Sequence, residues 1–279
     1  GALRAVHQLR GRIVFRAPAD SESKSMQRLK QKIDSGTTVL SGWCGITDPR
    51  YLETIAEYDF DAILLDMQHG FFDETTIQQG IATLVARGKA PLVRIPLGRW
   101  DTASRVMDFG ALAVVAPMIN NATDAAAFVS ATRFVPVGNR SFGPRHAASL
   151  YGIDSNQYLT EFDQCSLALA MIETREAYQN LDEIIGVAGI DGVLIGPGDL
   201  SISFRQNPLP DAYGIDTIDV VKDIVDRCKL AGKKTAAFSI NPVAANMLHG
   251  LGVDIISVGL DVTYIADGVK SHLSQLDFR

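Results

Sequence analysis

The chain is poor in cysteine, in long apolar runs and in excess positive charge, and each shortage removes a class of protein. Cys44, Cys165 and Cys228 are few, odd in number and far apart. They form neither a disulfide framework nor a zinc cluster, and read as small buried hydrophobes in a reducing, cytoplasmic setting. The longest apolar stretch, residues 111–119, is far too short to cross a bilayer. With 26 Lys and Arg against 32 Asp and Glu, a net charge of −6 and a pI near 5.4, no dense basic face is available for nucleic acid. No glycine-rich dinucleotide fingerprint follows the first apolar run.

What remains is an ordinary globular composition, 279 residues at 47% hydrophobic and 21% charged, enough for one large α/β domain. Residues 1–25 hold Arg4, Arg10, Arg12 and Arg16 with no acid before Asp20. An Arg-rich, acid-poor start is one mark of an organelle transit peptide. The plainer reading, an N-terminal extension ahead of a domain spanning 26–279, is preferred.

Short apolar runs at 38–44, 62–66, 91–96, 113–119, 167–173, 192–196, 234–240 and 255–260 lack strict polar alternation, as strands buried on both faces do. Between them lie segments of helical spacing, including 75–87, 124–133, 177–186, 218–231 and 242–250. Eight such pairs predict a (β/α)8 TIM barrel, for which about 250 residues is typical. Two long connections, 120–166 and 201–233, are expected to leave the carboxyl face and shape a pocket.

The strand ends carry the chemistry. Trp43 follows the first run, Asp66 and His69 the second, Arg94 the third, Glu173 the fifth and Asp199 the sixth. One such residue alone is better read as a helix cap or an ion-pair partner. Converging on one rim, they favour function. Glu173 and Asp199 are hard oxygen donors suited to Mg²⁺ or Mn²⁺, with Co²⁺ a further candidate. Gly198 lets a ligand carboxylate approach the N–H groups of Gly198 and Asp199. Arg94 offers a forked permanent charge for an oxyanion, and His69 suits a general base. Cation, oxyanion clamp and base together describe enolate chemistry beside a 2-oxo acid. Arg140, Arg145 and His146 fit two roles equally, binding the far end of a substrate or solvating a loop. His7, His249 and His272 fall outside the rim.

The segments Gly42-Trp43-Cys44-Gly45, Leu65-Asp66-Met67-Gln68-His69-Gly70, Val93-Arg94-Ile95-Pro96, Val115-Ala116-Pro117-Met118, Ile172-Glu173-Thr174-Arg175-Glu176-Ala177, Ile195-Gly196-Pro197-Gly198-Asp199-Leu200 and Gly259-Leu260-Asp261 resemble the HpcH/HpaI aldolases, class II pyruvate-dependent enzymes that cleave 4-hydroxy-2-oxo acids. The resemblance implies a barrel assembled as a homo-oligomer, usually a hexamer with an exchanged carboxyl-terminal helix. It implies His69 as proton acceptor, Arg94 as oxyanion stabiliser, Glu173 and Asp199 as metal ligands, and the amides of Gly198 and Asp199 on the pyruvate carboxylate. It also implies Asp108 as the partner of His69. The position of Asp108 just ahead of the fourth strand argues for the opposite rim and makes Asp66 a rival. Gln68 stands where the family commonly has Glu, and Met171 where many members have Gln, which bears on substrate preference. The substrates expected are a 2-oxo acid and an aldehyde, with no nucleic acid or membrane partner. A CoA-thioester lyase or a 2-oxo acid decarboxylase on the same site is the alternative, although no basic cluster for nucleotide phosphates accompanies the domain.

Overall fold

The computed structural model describes residues 26–278; the expected 1–25 extension, with His7, lies outside them. Eight parallel strands close a barrel in chain order: β1 (Val39–Cys44), β2 (Ala62–Asp66), β3 (Ala90–Arg94), β4 (Ala113–Ala116), β5 (Leu167–Ile172), β6 (Gly192–Ile195), β7 (Lys234–Ser239) and β8 (Ile255–Val258), with β8 pairing back onto β1. Every residue of β2, β3, β4, β5 and β6 is buried. Burial on both faces explains why their sequences run apolar without alternation.

The helices are α1 (Arg28–Asp34), α2 (Pro49–Ile55), α3 (Glu74–Ala86), α4 (Trp100–Phe109), α5 (Ala122–Thr132), α6 (Arg145–Tyr151), α7 (Ser155–Cys165), α8 (Arg175–Gln179), α9 (Leu181–Gly186), α10 (Pro197–Arg205), α11 (Ile215–Leu230), α12 (Pro242–Gly250) and α13 (Asp261–Leu273). Several starts are set by caps legible in sequence. Asp48 accepts the Arg50 N–H ahead of Pro49, Asp73 forms a capping box with Thr76, and Asn121 and Asn241 accept the amides of Asp124 and Ala244. The helix expected over 177–186 is two short ones, broken at Asn180.

The long segment 120–166 does not arch over the carboxyl face. It folds into α5, α6 and α7, and α5 returns the chain to the amino-terminal rim within eleven residues. Cys44, Cys165 and Cys228 are buried and unpaired. No helix among the described residues is long and apolar enough to cross a membrane.

Candidate active site

Strand register builds the first half of the site. Asp66 and Arg94 are direct partners at the carboxyl ends of β2 and β3. The Arg94 fork closes on Asp66, Nε to Oδ1 at 2.9 Å and Nη2 to Oδ2 at 2.5 Å, with both side chains buried. The guanidinium carbon lies 4.7 Å from the centre of the Trp43 ring, whose Nε1 also donates to Asp66 at 3.2 Å. Burial pushes the Asp66 carboxyl up. The hydrogen bonds and charge of Arg94, helped by the Gln68 amide and Trp43, outweigh it and leave the group below its ordinary value. Arg94 Nη1 has no hydrogen-bond partner among the described residues and is the arm left for a ligand.

His69 sits on the loop that leaves β2. Asp66 Oδ1 shapes this loop by accepting the amides of Gln68 at 2.9 Å and His69 at 3.3 Å. The imidazole itself has no hydrogen-bond partner among the described residues. Gly70 is dictated by crowding: a Cβ there would strike the Asp66 carbonyl and come within 2.8 Å of Gly45 Cα. The loop is tied to that neighbour by the Phe71 N–H, which donates to the Gly45 carbonyl at 3.0 Å.

The acidic half stands across the barrel. Register pairs Ile172 with Ile195, so Glu173 and Gly196 emerge side by side. Glu173 is 3% exposed, and its Oε1 accepts the Met118 N–H at 2.7 Å. Met118 presents that amide from a left-handed backbone, φ 55°, uncommon for a residue with a side chain. Burial pushes the Glu173 carboxyl up to about 7. Met118 opposes the rise, nearby Asp199 adds to it, and Arg94 opposes it. Gly196 leaves the carboxylate room, because a Cβ there would lie 3.1 Å from Glu173 Cβ and 3.2 Å from Oε2.

Two close acids, one deeply buried and both free of ion pairs among the described residues, are a hard oxygen donor set that fits a divalent cation. No third His, Cys, Asp or Glu completes a cluster among the described residues, which leaves coordination positions for water or substrate oxygens. Gly198 and Asp199 lie in the first turn of α10, where backbone N–H groups lack intrahelical acceptors. A Cβ on Gly198 would meet nothing within 4 Å, so the approach to those amides is open.

A cavity of about 520 Å³ is lined by Trp43, Asp66, His69, Arg94, Gly198 and Asp199 among others, with Glu173 buried behind its neighbours Met171 and Gly196. Phe71, Met171, Phe238, Leu260 and Val262 supply its apolar wall. A second cavity, of about 480 Å³, opens at the amino-terminal rim. Two of its lysines are engaged, Lys234 with Asp34 at 3.2 Å and Lys233 with the Ile190 carbonyl at 2.7 Å, and barrel chemistry belongs to the other rim.

Asp108 is not brought to His69 within this chain. Helix α4 carries it to the amino-terminal rim, where it pairs with Arg140 at 2.6 Å. Burial pushes its carboxyl above the ordinary value despite Arg140. Arg140 does not face the cavity either. Its fully buried side chain lies among Phe134, Tyr158 and Phe162, and donates to the Tyr158 hydroxyl at 3.1 Å. Arg145 and His146 are exposed on α6. None of the three lines the carboxyl-rim cavity of this chain, and burial removes Arg140 from the substrate-binding candidates.

Sequence reasoning assigned no role to Met118, Phe238 or Asp261, although Met118 and Asp261 fall in segments that carry the resemblance. The first acts through its backbone and the second through Trp43, 5.2 Å away edge to face. The third had a signal, an acid directly after the last apolar run, but no partner visible in sequence.

Comparison with known proteins finds relatives over most of the chain. The family described as HpcH/HpaI aldolase/citrate lyase matches residues 41–267. A hydroxypyruvate/pyruvate aldolase of Rhizorhabdus wittichii is 32% identical over 245 residues, 88% of this chain and 96% of that protein. A 2-keto-3-deoxy-L-rhamnonate aldolase of Salmonella gallinarum is 28% identical over 246 residues, 88% of this chain and 91% of that one. Among solved structures, an HpcH/HpaI aldolase/citrate lyase family protein from Burkholderia cenocepacia superposes with a TM-score of 0.81 at 24% identity, covering 89% of this chain and 98% of that one.

Proposed function

Because the chain belongs to the HpcH/HpaI aldolase/citrate lyase family, we propose that its carboxyl-rim cavity cleaves 4-hydroxy-2-oxo acids with the help of Mg²⁺ or Mn²⁺. The enzyme is a pyruvate aldolase, an aldehyde-lyase that splits its substrate into pyruvate, or a related 2-oxo acid, and an aldehyde. The observation that carries the proposal is the buried Glu173 beside Asp199, with Asp199 lining the same cavity as His69 and Arg94.

The residues divide the work by charge. Glu173 and Asp199 would hold the cation, which when bound supplies Lewis-acid stabilisation to negative charge developing on the 2-oxo acid. The amides of Gly198 and Asp199, at the start of α10, receive the substrate carboxylate. His69 takes the proton of the 4-hydroxyl. The C3–C4 bond then breaks, its electrons passing into the pyruvate enolate while C4 leaves as the aldehyde carbonyl. Arg94, held over the Trp43 ring by Asp66, offers Nη1 to the enolate oxygen. Protonation at C3 completes pyruvate. Asp66 supports His69 through the loop amides, and Asp108 is assigned no contact with the reacting atoms in a single chain.

A homo-oligomer is supported by α13. Val262, Ile265, Val269 and Leu273 form an apolar stripe along it, each 41–53% exposed, and only Asp261 of the helix is buried. A hexamer is the assembly we assign. The buried, unpaired cysteines fit a reducing cytoplasm.

The test is pyruvate release from the aldol adducts of pyruvate with acetaldehyde and with glyceraldehyde, read by coupled NADH oxidation with lactate dehydrogenase. Release from either adduct that stops on chelation and returns with Mg²⁺ or Mn²⁺ supports the reading. No release from either adduct with metal bound contradicts it.

A further inference from the structure

Asp261 is an acid that the aldol chemistry does not use, and it is among the most constrained groups near the cavity. It opens α13, is 2% exposed, and lines the same cavity as His69 and Arg94. Its Oδ2 accepts two amides of the loop after β1, Gly45 at 2.6 Å and Ile46 at 2.7 Å, and its Oδ1 accepts the Val262 amide at 2.8 Å. No Lys, Arg or His pairs with it among the described residues. The charge is balanced by backbone N–H groups alone, so it holds backbone rather than side chains.

What it holds leads to the base. Gly45 lies against Gly70 with no space for a side chain between them, and the Gly45 carbonyl receives the Phe71 N–H at 3.0 Å. His69 immediately precedes this contact. The other end of its loop is fixed by Asp66, whose Oδ1 takes the Gln68 and His69 amides. His69 is thus suspended between two carboxylates. Asp66 anchors it from β2, and Asp261 anchors it from α13 through Gly45.

We infer that Asp261 is the positioning residue for His69, coupling the orientation of the carboxyl-terminal helix to the placement of the proton acceptor. The inference rests on the aldolase reading above. Its consequence is directional. Loosening Asp261 lets the loops of β1 and β2 drift, while Glu173, Asp199 and Gly198 on the far side of the barrel keep their places. Turnover suffers, and cation and pyruvate binding do not.

Two variants of the full chain test it. Asp261→Asn preserves shape but replaces an ionised acceptor facing two N–H donors with a neutral amide. Gly45→Ala leaves Asp261 intact and puts a Cβ 3.3 Å from Gly70 Cα, prising the loops apart. The readouts are pyruvate methyl deuteration with Mg²⁺, the KM for pyruvate, the Mn²⁺ dissociation constant, and amide hydrogen exchange over residues 43–46 and 67–72. Each variant is expected to lose about tenfold to a hundredfold in turnover, with KM and Mn²⁺ affinity within about twofold of the parent. Amide exchange should accelerate in those two segments and stay at the parent rate over 167–199. Turnover of Asp261→Asn within about twofold of the parent overturns the inference, as does a parallel loss of Mn²⁺ affinity or uniform acceleration of amide exchange. If Asp261→Asn does not fold, Gly45→Ala decides on the same readouts. A parent enzyme that binds metal and leaves the pyruvate methyl untouched refutes the aldolase reading, and amide exchange then still reports whether Asp261 holds the His69 loop.

Discussion

Glu173 gives the site a pH signature that can be worked out from its surroundings. Burial raises its carboxyl from an ordinary 4.5 to about 7 in the metal-free protein, Asp199 adding to the rise while Met118 and Arg94 oppose it. A rise of about 2.5 units corresponds to about 3 kcal/mol between the protonation states. The folded state is the one that holds the proton. The associated stability is therefore fully present below about pH 4.5 and is lost as pH rises through about 7. Glu173→Gln imitates the protonated form at every pH and keeps an acceptor for the Met118 amide. Guanidinium unfolding of parent and variant in chelator, from pH 4.5 to 8.5, isolates the group because other titrations cancel in the difference. The variant should gain on the parent by about 3 kcal/mol across that range, most steeply between about pH 5 and 6.5 and levelling off above about 7. Excess Mn²⁺ should reverse the order at the alkaline end, since only the parent has both carboxylates to offer. Parallel curves for the two proteins would refute the reasoning, because a Glu173 ionised throughout would not be desolvated by this pocket.

Metal binding should share this dependence: the apparent Mn²⁺ affinity of the parent should fall about tenfold per unit below pH 7, with one proton released on binding, measured by calorimetry in buffers of different ionisation enthalpy. Arg94→Met leaves Asp66 buried without its partner and should cost about 3–5 kcal/mol in chemical unfolding, while Arg94→Lys, lacking the fork, should recover only part of it. Gly196→Ala drives a Cβ to 2.8 Å from Met171 Cε and 3.1 Å from Glu173 Cβ, so Mn²⁺ affinity should fall and stability drop by about 1–3 kcal/mol. Arg140→Met strands Asp108 and should cost about 3 kcal/mol with pyruvate binding unchanged, the result expected of a structural arginine away from the cavity.

The barrel was legible because its strands are short, apolar and regularly spaced: seven of the eight predicted runs contain an observed strand, and the third misses only the first residue of β3, Ala90. The convergence of His69, Arg94, Glu173 and Asp199 followed from the rule that strand ends meet on one rim. Pair geometry was not legible. Arg94 bonds Asp66 because register sets Asp66 beside it, and register is a property of the closed sheet. Helical spacing at 124–133 was visible, but not that α5 carries Arg140 to the far rim, so that residue was weighed as a substrate contact. Met118 was given no role because its part is played by a backbone amide from a left-handed conformation that composition does not announce. Asp261 stood in a recognised segment but had no assignable role, because its partners, Gly45 and Ile46, lie more than two hundred residues away.

The measurement closest to the central claim is proton NMR of pyruvate in D₂O with the protein stripped of metal and then resupplied with Mg²⁺. Loss of the methyl signal that begins only when metal returns, and is abolished in Glu173→Gln, is the predicted result. A methyl signal that persists with Mg²⁺ demonstrably bound, or one that decays equally in chelator, would contradict enolate formation at Glu173, Asp199, His69 and Arg94.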